Sequence, residues 1–399
     1  MINFRERAEE MKGELISSRH YLHQHAELSF KEFETTKFLV GELQRLGIPV
    51  LTFEDYTGCI AVIKGERPGN AVVLLRADID ALPIQEESGV AFESQNPGVM
   101  HACGHDCHAA MLLGAARLLW ERREELSGTV KLLFQAAEEV FIGSHYYVDR
   151  GYLSDVDAAM GMHVWPTVES GKLAIKDGPT MASCDNFTIT VHGVSAHGST
   201  PNLGRDAIVA ASSIIMNLQT LVSRISDPID SLVVTVGTIK AGTQFNIITD
   251  TAELSGTVRA HTKETRGMVE ASMRRIVEQT AEALGCQAEL DYRYLEPPVI
   301  NGDTALNDIA RQAAVTLYGP EVLRKTEKAT GSEDFSYIME KIPSSLLVFL
   351  GCHDEKAGCI HPIHNGKFKI NEAILPVGAA EYAQFAADYL EQCAGGETK

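Results

Sequence analysis

The chain has 399 residues, of which 45% are hydrophobic and 22% charged, and its formal net charge is −19 at pH 7. A chain this acidic lacks the basic face that a phosphate backbone requires, which argues against a nucleic-acid partner. The length exceeds what one ordinary hydrophobic core needs, so we predict two domains in a soluble, globular protein.

Targeting signals and cysteines predict a cytoplasmic protein with reduced thiols. Residues 1–7 contain no apolar segment of a secretory signal, and no apolar run reaches the about 18 residues of a membrane span. The eight cysteines are scattered along the chain rather than packed into a short framework, which favours free thiols. Cys352 and Cys359 are near enough in sequence to pair, but the same compartment argument disfavours it. The small, polar tail over 394–399 is expected to be disordered.

The first half of the chain alternates helical and strand patterns. Apolar residues at helical spacing predict helices over 3–17, 31–46 and 105–120. Apolar runs predict buried strands over 71–75, 129–135 and 157–162, and polar or charged residues follow each of them. Strands with polar tips that are separated by helices indicate an open α/β sheet, with ligands gathered at the strand ends.

Near residue 182 the pattern changes to that of a two-layer α+β domain, with helices on one face of an antiparallel sheet. Strands are predicted over 185–191, 231–239, 251–260 and 287–294, and helices over 205–222 and 266–284. Pro297 and Pro298 mark the end of this second pattern. A helix from Ala305, a strand over 345–350 and a final helix over 372–392 then restore the first pattern. We therefore predict one domain from residues 1–181 and 298–399, with 182–297 inserted as the second.

The strongest local signal for chemistry is the run His101-Ala102-Cys103-Gly104-His105-Asp106-Cys107-His108 at the start of a predicted helix. A thiolate and an imidazole two residues apart can converge on one cation, and Gly104 allows a tight backbone between them. This pair of donors favours borderline-soft metals such as zinc. The alternative is a chance cluster in which Cys103 and Cys107 are small core residues.

An acid pair, Glu138 and Glu139, follows the predicted strand over 129–135. Because adjacent residues of an extended chain point in different directions, one carboxylate can bind a metal while its neighbour reaches the metal-bound water. The metal lowers the pKa of that water, and the second carboxylate takes the proton and passes it to a leaving nitrogen. The alternative is a solvated acidic loop at a helix start.

Single histidines carry weaker signals. His163 ends a predicted strand, and at most one of His361 and His364 need be a ligand; as isolated residues they are more often structural. His197 lies in a glycine-flanked segment, for which a surface loop is the default interpretation.

A few other polar residues are candidates only in combination. Asp78 and Asp80 follow a predicted strand, where one of them can hydrogen-bond a ligand imidazole. The alternative is a buried pair between Arg76 and an aspartate that closes the strand end. Asn246, Arg259 and the turn at Gly331 carry no signal alone.

Taken in order, these motifs resemble those of the aminoacylases, hippurate hydrolases and auxin-conjugate hydrolases, within the larger group of co-catalytic metallopeptidases. The matching segments are 19–30, 76–83, 101–108, 134–139, 161–163, 196–197, 245–248, 256–259, 331–335, and His364 with Phe368. Many motifs match in order over almost the whole chain. The resemblance therefore favours a functional role over a structural one for the single histidines and acids.

The resemblance implies a metal-dependent amidohydrolase that cleaves an N-acyl (acetyl, benzoyl or similar) amino acid into a carboxylic acid and a free amino acid. It implies two divalent metal ions, which could be zinc, manganese, nickel or cobalt. Their ligands then fall on Cys103, His105, Glu139, His163 and His364. Glu138 becomes the general base on a water that bridges the metals, and Asp80 supports the metal centre from behind.

The resemblance also assigns the second domain. It implies a catalytic α/β domain with an open mixed sheet flanked by helices, and an inserted α+β lid over 182–297 that also forms a homodimer. His197 corresponds to a lid histidine that steadies the oxyanion, in related dimers often from the partner subunit. The expected substrate contacts are Asn246, Arg259 and Gly331. The expected partners are a small-molecule substrate and a second copy of the chain, without nucleic acid or membrane.

The sequence departs from the family pattern at three places, of which the second and third bear on specificity. Ala26 replaces a usual proline, the segment Val140-Phe141-Ile142 replaces a glycine-rich stretch after the acid pair, and Asn202 replaces a second lid histidine. Two alternatives remain. A dipeptidase of the same superfamily needs an acid for the substrate ammonium, for which no residue stands out. A catalytically silent metal-binding homologue conflicts with the presence of every ligand position and the base.

Overall fold

The structure, a computed structural model, describes residues 3–396. The chain forms two compact units. Unit 1 comprises the described residues up to Gly178, Asn301–Glu327 and those from Tyr337 onward, and unit 2 comprises Pro179–Ile300 and Lys328–Ser336. The last segment differs from the predicted division, because backbone hydrogen bonds join Ala182 to Ala329 and Gly331.

The helices and strands are defined here in chain order. The strands are β1 Val50–Thr52, β2 Cys59–Lys64, β3 Arg67–Asp78, β4 Ser127–Gln135, β5 Ala158–Glu169, β6 Leu173–Ala174, β7 Gly178–Met181, β8 Cys184–His192, β9 Ala196–His197, β10 Leu232–Ala241, β11 Ile247–Ile248, β12 Thr251–Ala260, β13 Gln287–Glu296, β14 Val299–Asn301 and β15 Ser345–His353. The α-helices are α1 Arg5–Glu10, α2 Lys12–Gln24, α3 Phe33–Arg45, α4 His105–Glu121, α5 Gly143–Asp149, α6 Ala207–Thr220, α7 Lys263–Ala283, α8 Thr304–Tyr318, α9 Phe335–Lys341 and α10 Leu375–Gly396.

Unit 1 contains a mixed sheet with strand order β1-β2-β4-β3-β5-β15-β6. The central strands β4, β3, β5 and β15 are parallel, whereas β2 and β6 run antiparallel to their neighbours. The apolar sequence of β15 is buried along almost its whole length, as expected for a strand covered on both faces. Helices α4 and α10 contribute many residues to the core around this sheet. The predicted open mixed sheet flanked by helices is confirmed.

Unit 2 contains an antiparallel sheet with strand order β10-β12-β8-β13. Alternate residues of β8, which are Phe187, Ile189 and Val191, enter a core shared with α6 and α7. Asp206 begins α6 by accepting the backbone N–H groups of Ile208 and Val209, a strong helix-start interaction. The unit is therefore a two-layer α+β domain.

Some local expectations were wrong. The predicted helix over 3–17 is two helices that meet at Met11, and α2 continues to Gln24. The prediction of disorder over 394–399 is wrong for residues 394–396, because α10 extends to Gly396. Residues 397–399 lie outside the described part of the chain.

One stretch of unit 2, Ala207–Ile225, is long and apolar enough by length and composition to cross a membrane. One such stretch is weak evidence for a membrane span, and its residues Ala211, Ile214 and Leu218 belong to the core of unit 2.

Candidate metal centre and catalytic site

Two neighbouring parallel strands of unit 1 end side by side and place polar residues at one edge of the sheet. In β3 and β4, Asp78 is the register partner of Gln135. Arg76 donates to both, with Nη1 2.7 Å from Asp78 Oδ2 and Nε 2.9 Å from Gln135 Oε1. These buried bonds fix the edge from which Asp80 and the acid pair beginning at Glu138 emerge.

The start of α4 approaches β5 closely because Gly104 precedes it. Gly104 has a φ of +93°, and a Cβ added there would lie 2.4 Å from Cγ2 of Val164. Only glycine allows this conformation and this approach together. As a result, Sγ of Cys103 lies 3.4 Å from Nε2 of His163, and His105 follows as the first residue of the helix.

The orientation of His163 suits a metal ligand. Its Nδ1 lies 2.7 Å from the carbonyl oxygen of Val164. A carbonyl only accepts, so Nδ1 carries the proton and Nε2 presents its lone pair toward Cys103. Burial and the neighbouring His108 lower the pKa of His163 well below its usual value, which keeps the imidazole in the neutral form that binds metals.

Asp80 links two of the predicted ligands. Its Oδ1 lies 3.2 Å from Nδ1 of His105, and its Oδ2 accepts the backbone N–H of Glu139 at 3.0 Å and the hydroxyl of Ser29 at 2.7 Å. Burial raises the pKa of Asp80, but His105, Ser29 and the backbone N–H lower it by more, so that the carboxylate is ionised. This is the arrangement by which an outer carboxylate orients a metal-binding histidine.

Two buried ligand atoms face each other without a hydrogen bond. Nε2 of His105 and Oε1 of Glu139 have no hydrogen-bond partner within residues 3–396. They lie 3.8 Å apart, and Oε2 of Glu138 lies 3.9 Å from the same nitrogen. On the other side, Nε2 of the half-exposed His364 lies 3.5 Å from Oε1 of Glu139.

The donor atoms form overlapping groups in unit 1. The atoms within each group lie within 4.8 Å of one another, and the groups are Cys103-His105-His163, Cys103-Glu139-His364 and His105-Glu138-Glu139. The residues predicted as ligands therefore meet in one place, beside Glu138.

Another group, Asp78-His105-His108, satisfies the same distance criterion but is a weaker candidate. Nδ1 of His108 lies 2.6 Å from Asp78 Oδ1, and its Nε2 accepts the backbone N–H of Val164 at 2.9 Å. Both ring nitrogens are thus occupied by protein partners, so His108 supports the centre rather than binding a cation.

The acid pair lies in a strained turn that sequence analysis missed. Ala137 and Phe141, which flank the short 3₁₀ turn of Glu138–Val140, have φ angles of +59° and +66°, which are costly for residues other than glycine. The buried carboxylate of Glu32 accepts the backbone N–H of Ala137 at 2.9 Å and the hydroxyl of Thr57 at 2.6 Å. Burial and Asp80 raise the pKa of Glu32 to about 7. Glu32 thus holds the turn from which the acid pair projects.

The remaining predicted site residues lie in unit 2. His197 on β9 is the register partner of Ile247 on β11, and the backbone N–H of Gly198 donates to the carbonyl of Asn246 at 2.7 Å. The structure therefore brings His197 and Asn246 together on one exposed loop pair. Arg259 lies on β12, with a buried Nη1 that lacks a hydrogen-bond partner among the described residues.

This fold and donor set define a class of proteins that could hold metal ions at one edge of the sheet of unit 1. The model of peptidase family M20/M25/M40 matches residues 74–388. The N-acetylcysteine deacetylase of Bacillus subtilis is 42% identical over 94% of this chain and 97% of its own length. An IAA-amino acid hydrolase of Arabidopsis thaliana is 38% identical over 95% of this chain and 85% of its own length.

Solved structures agree with the sequence comparisons. A dinuclear metal-binding peptidase of the M20 family from Bacillus subtilis has a TM-score of 0.85 and 39% identity, over 96% of this chain and 99% of that one. The chain belongs to peptidase family M20/M25/M40 and is a hydrolytic enzyme.

Proposed function

We propose that this enzyme is a metal-dependent amidohydrolase that cleaves N-acyl amino acids into a carboxylic acid and a free amino acid. The observation that carries the proposal is the convergence of thiolate, imidazole and carboxylate donors beside an additional buried glutamate, Glu138. The deacetylase and IAA-amino acid hydrolase relatives are named for N-acyl amino acid substrates, which supports this substrate class.

The donor set fits two divalent cations. The buried Nε2 of His105 and Oε1 of Glu139, which lack hydrogen-bond partners among the described residues, are atoms that a cation would satisfy. A thiolate with imidazoles favours zinc, nickel or cobalt, and the carboxylate also suits manganese. The residues that would hold the pair are Cys103, His105, Glu139, His163 and His364. When bound, the cations would polarise the scissile carbonyl and lower the pKa of a water molecule.

In the proposed reaction, Glu138 moves the proton. Its carboxylate takes a proton from the attacking water as the water oxygen bonds to the amide carbon. It then delivers that proton to the amide nitrogen as the C–N bond breaks. The products are the carboxylic acid and the free amine of the amino acid. Glu138 is 6% exposed, so little bulk water competes for this proton.

Unit 2 is proposed to act as the lid. His197 would donate an N–H to the developing oxyanion, a type of interaction whose loss costs about 2.7–4 kcal/mol in other hydrolases. Asn246 would contact the substrate, since it is joined to the His197 loop. The buried Nη1 of Arg259, together with backbone N–H groups near Gly331, is the proposed site for the substrate carboxylate.

A homodimer through unit 2 is part of the proposal. β10 is an edge strand of its sheet, and unpaired edges invite pairing with another copy. Beside it, α6 exposes Val209 (51%) and Met216 (70%), and exposed apolar surface of this kind favours association. The free thiols of the described cysteines support the proposed cytoplasmic location.

The test combines a substrate screen with one variant. Wild-type enzyme loaded with zinc, manganese, nickel or cobalt should release amino acid from N-acetyl, N-benzoyl or indole-acyl substrates. Glu138→Gln should lower kcat by about 10²–10⁴-fold while the bound metal, measured by mass spectrometry, stays unchanged. Glu289→Gln, at an exposed position of β13, is the matched control and should behave as wild type.

Three outcomes of these assays would contradict the proposal. Amine release only from dipeptides would favour a dipeptidase, and no release from any substrate a silent homologue. Full turnover by metal-loaded Glu138→Gln would refute the role of Glu138.

A further inference from the structure

The loop that carries His197 fixes the state of its imidazole. Nδ1 of His197 lies 3.1 Å from the backbone nitrogen of Ser199 and 2.7 Å from the hydroxyl oxygen of the same residue. A backbone N–H can only donate, so Nδ1 must accept and cannot carry a proton in this geometry. The ring proton of the neutral histidine is therefore on Nε2, and the Ser199 hydroxyl is a second donor to Nδ1.

We propose that Ser199 is a positioning residue that holds His197 in the tautomer with the proton on Nε2. This rests on the proposed function, in which His197 donates to the oxyanion. The other tautomer would present a lone pair at Nε2 and repel the developing negative charge. Ser199 does not touch the reacting atoms; it acts through the ring of His197.

Hydrogen bonds fix the backbone around His197 and Ser199. The short side chain of Ser199 can therefore orient the imidazole ring. Gly198 donates to the carbonyl of Asn246 at 2.7 Å, and Thr200 N–H donates to the carbonyl of His197 at 2.8 Å. A Cβ at Gly198 would lie 2.9 Å from that Asn246 oxygen, so glycine is required for the close approach. These bonds aim the Ser199 N–H at Nδ1.

The two donors of Ser199 have separable contributions. The backbone N–H remains in any variant other than proline, whereas Ser199→Ala removes only the hydroxyl. Without it, the exposed ring is held by the backbone N–H alone and rotates away from it more often. Once the ring has turned away, nothing in the Ser199 backbone opposes a proton on Nδ1. The loss of one neutral hydrogen bond corresponds to about a threefold to tenfold change in an equilibrium.

The kinetic experiment compares Ser199→Ala and Ser199→Thr in the metal-loaded enzyme. Ser199→Ala should lower kcat about threefold to tenfold with little change in KM, because the donor acts in the transition state. Ser199→Thr keeps the hydroxyl and should restore kcat. Ser154→Ala, which removes an exposed serine hydroxyl of unit 1, is the control and should leave kcat unchanged.

A second background separates positioning from general structural damage. In His197→Gln, the side-chain amide can offer an N–H near the position of Nε2 without any tautomer to select. Ser199→Ala should therefore have no further effect on kcat in this background. An equal loss of kcat in both backgrounds, or wild-type kcat in Ser199→Ala alone, would overturn the inference.

A spectroscopic readout makes the test independent of turnover. In enzyme labelled with ¹⁵N-histidine, the His197 signals, assigned by their absence in His197→Gln, should show an unprotonated Nδ1. Ser199→Ala should shift them toward a protonated Nδ1, and unchanged shifts would contradict the inference. If His197→Ala leaves kcat at the wild-type value, the proposed role of His197 itself fails, whatever Ser199 does.

Discussion

Oδ1 of Asp80 lies 3.2 Å from Nδ1 of His105, while the opposite nitrogen of that ring faces Glu138 and Glu139. The other oxygen of Asp80 accepts the backbone N–H of Glu139. One buried carboxylate thus orients two of the proposed ligands at once, and it raises the basicity of the histidine toward a cation.

The first prediction follows from this link. Asp80→Ala should weaken zinc binding by about 10–100-fold, measured by competition with a chromophoric chelator. Ser29→Ala, which removes only the hydroxyl that donates to Asp80, should have a much smaller effect. Zinc affinity equal to wild type in a folded Asp80→Ala enzyme would remove Asp80 from the metal centre.

Much of this site follows from local patterns. The apolar strands β3 and β4 are visible in the sequence, and because they are parallel their polar tips meet at one edge. Cys103 and His105 are close in sequence, with Gly104 between them. His163 and His364 carry no comparable pattern, since each is a single histidine whose partners are distant in the chain. Only the resemblance of the ordered motifs singled them out.

The parts that sequence could not predict depend on long-range contacts between a side chain and the backbone. Glu32 accepts the backbone N–H of Ala137, which is 105 positions away in the chain. In the sequence, Glu32 is only an acid just before a helix, which does not predict that hydrogen bond. The hydrogen bond from the Ser199 N–H to His197 depends on how the loop turns. The segment Lys328–Ser336 belongs to unit 2 through backbone hydrogen bonds. Because any residue other than proline can make such bonds, the amino-acid types of the segment do not reveal them.

The second prediction concerns the proposed dimer. Met216→Glu on α6 should shift the enzyme from dimer toward a 43.5 kDa monomer, because it places a charge on the exposed apolar face. Sedimentation velocity measures the change. Leu51→Glu, at a 43% exposed position of unit 1, should remain dimeric. A wild-type enzyme that sediments as a monomer at all concentrations would contradict the dimer.

The third prediction concerns the acyl group. Val140 and Ile142 follow the acid pair and are 41% and 50% exposed, so they offer apolar surface directly after Glu139. Ile142→Gly should reduce kcat/KM for N-benzoyl relative to N-acetyl substrates by about threefold to tenfold, as expected for the loss of a few methylene contacts. Ile360→Gly, at a similarly exposed position, is the control. An unchanged ratio would place the acyl group elsewhere.

The fourth prediction concerns a buried acid on α10 outside the catalytic site. Glu381 is fully buried, and neither of its oxygens has a hydrogen-bond partner among the described residues. Burial, and then repulsion from Asp388, raise the pKa of Glu381 well above the usual 4.5. The folded state therefore binds this proton more tightly than the unfolded chain does. The stability contributed by the proton is fully present below pH 4.5 and is lost as pH rises toward the folded-state pKa.

Glu381→Gln should remove this pH dependence, because the amide stays neutral. Near pH 8 the variant should exceed wild type by at least about 1.4 kcal/mol in free energy of unfolding, since a pKa raised by one unit on folding corresponds to about that free energy. The difference should shrink as the pH falls and vanish below pH 4.5, where wild-type Glu381 is protonated in both states. Urea unfolding across this pH range measures both values, with the exposed Glu391→Gln on the same helix as control. A constant difference at every pH would show that the carboxyl does not titrate on folding, and that its burial is offset by a partner.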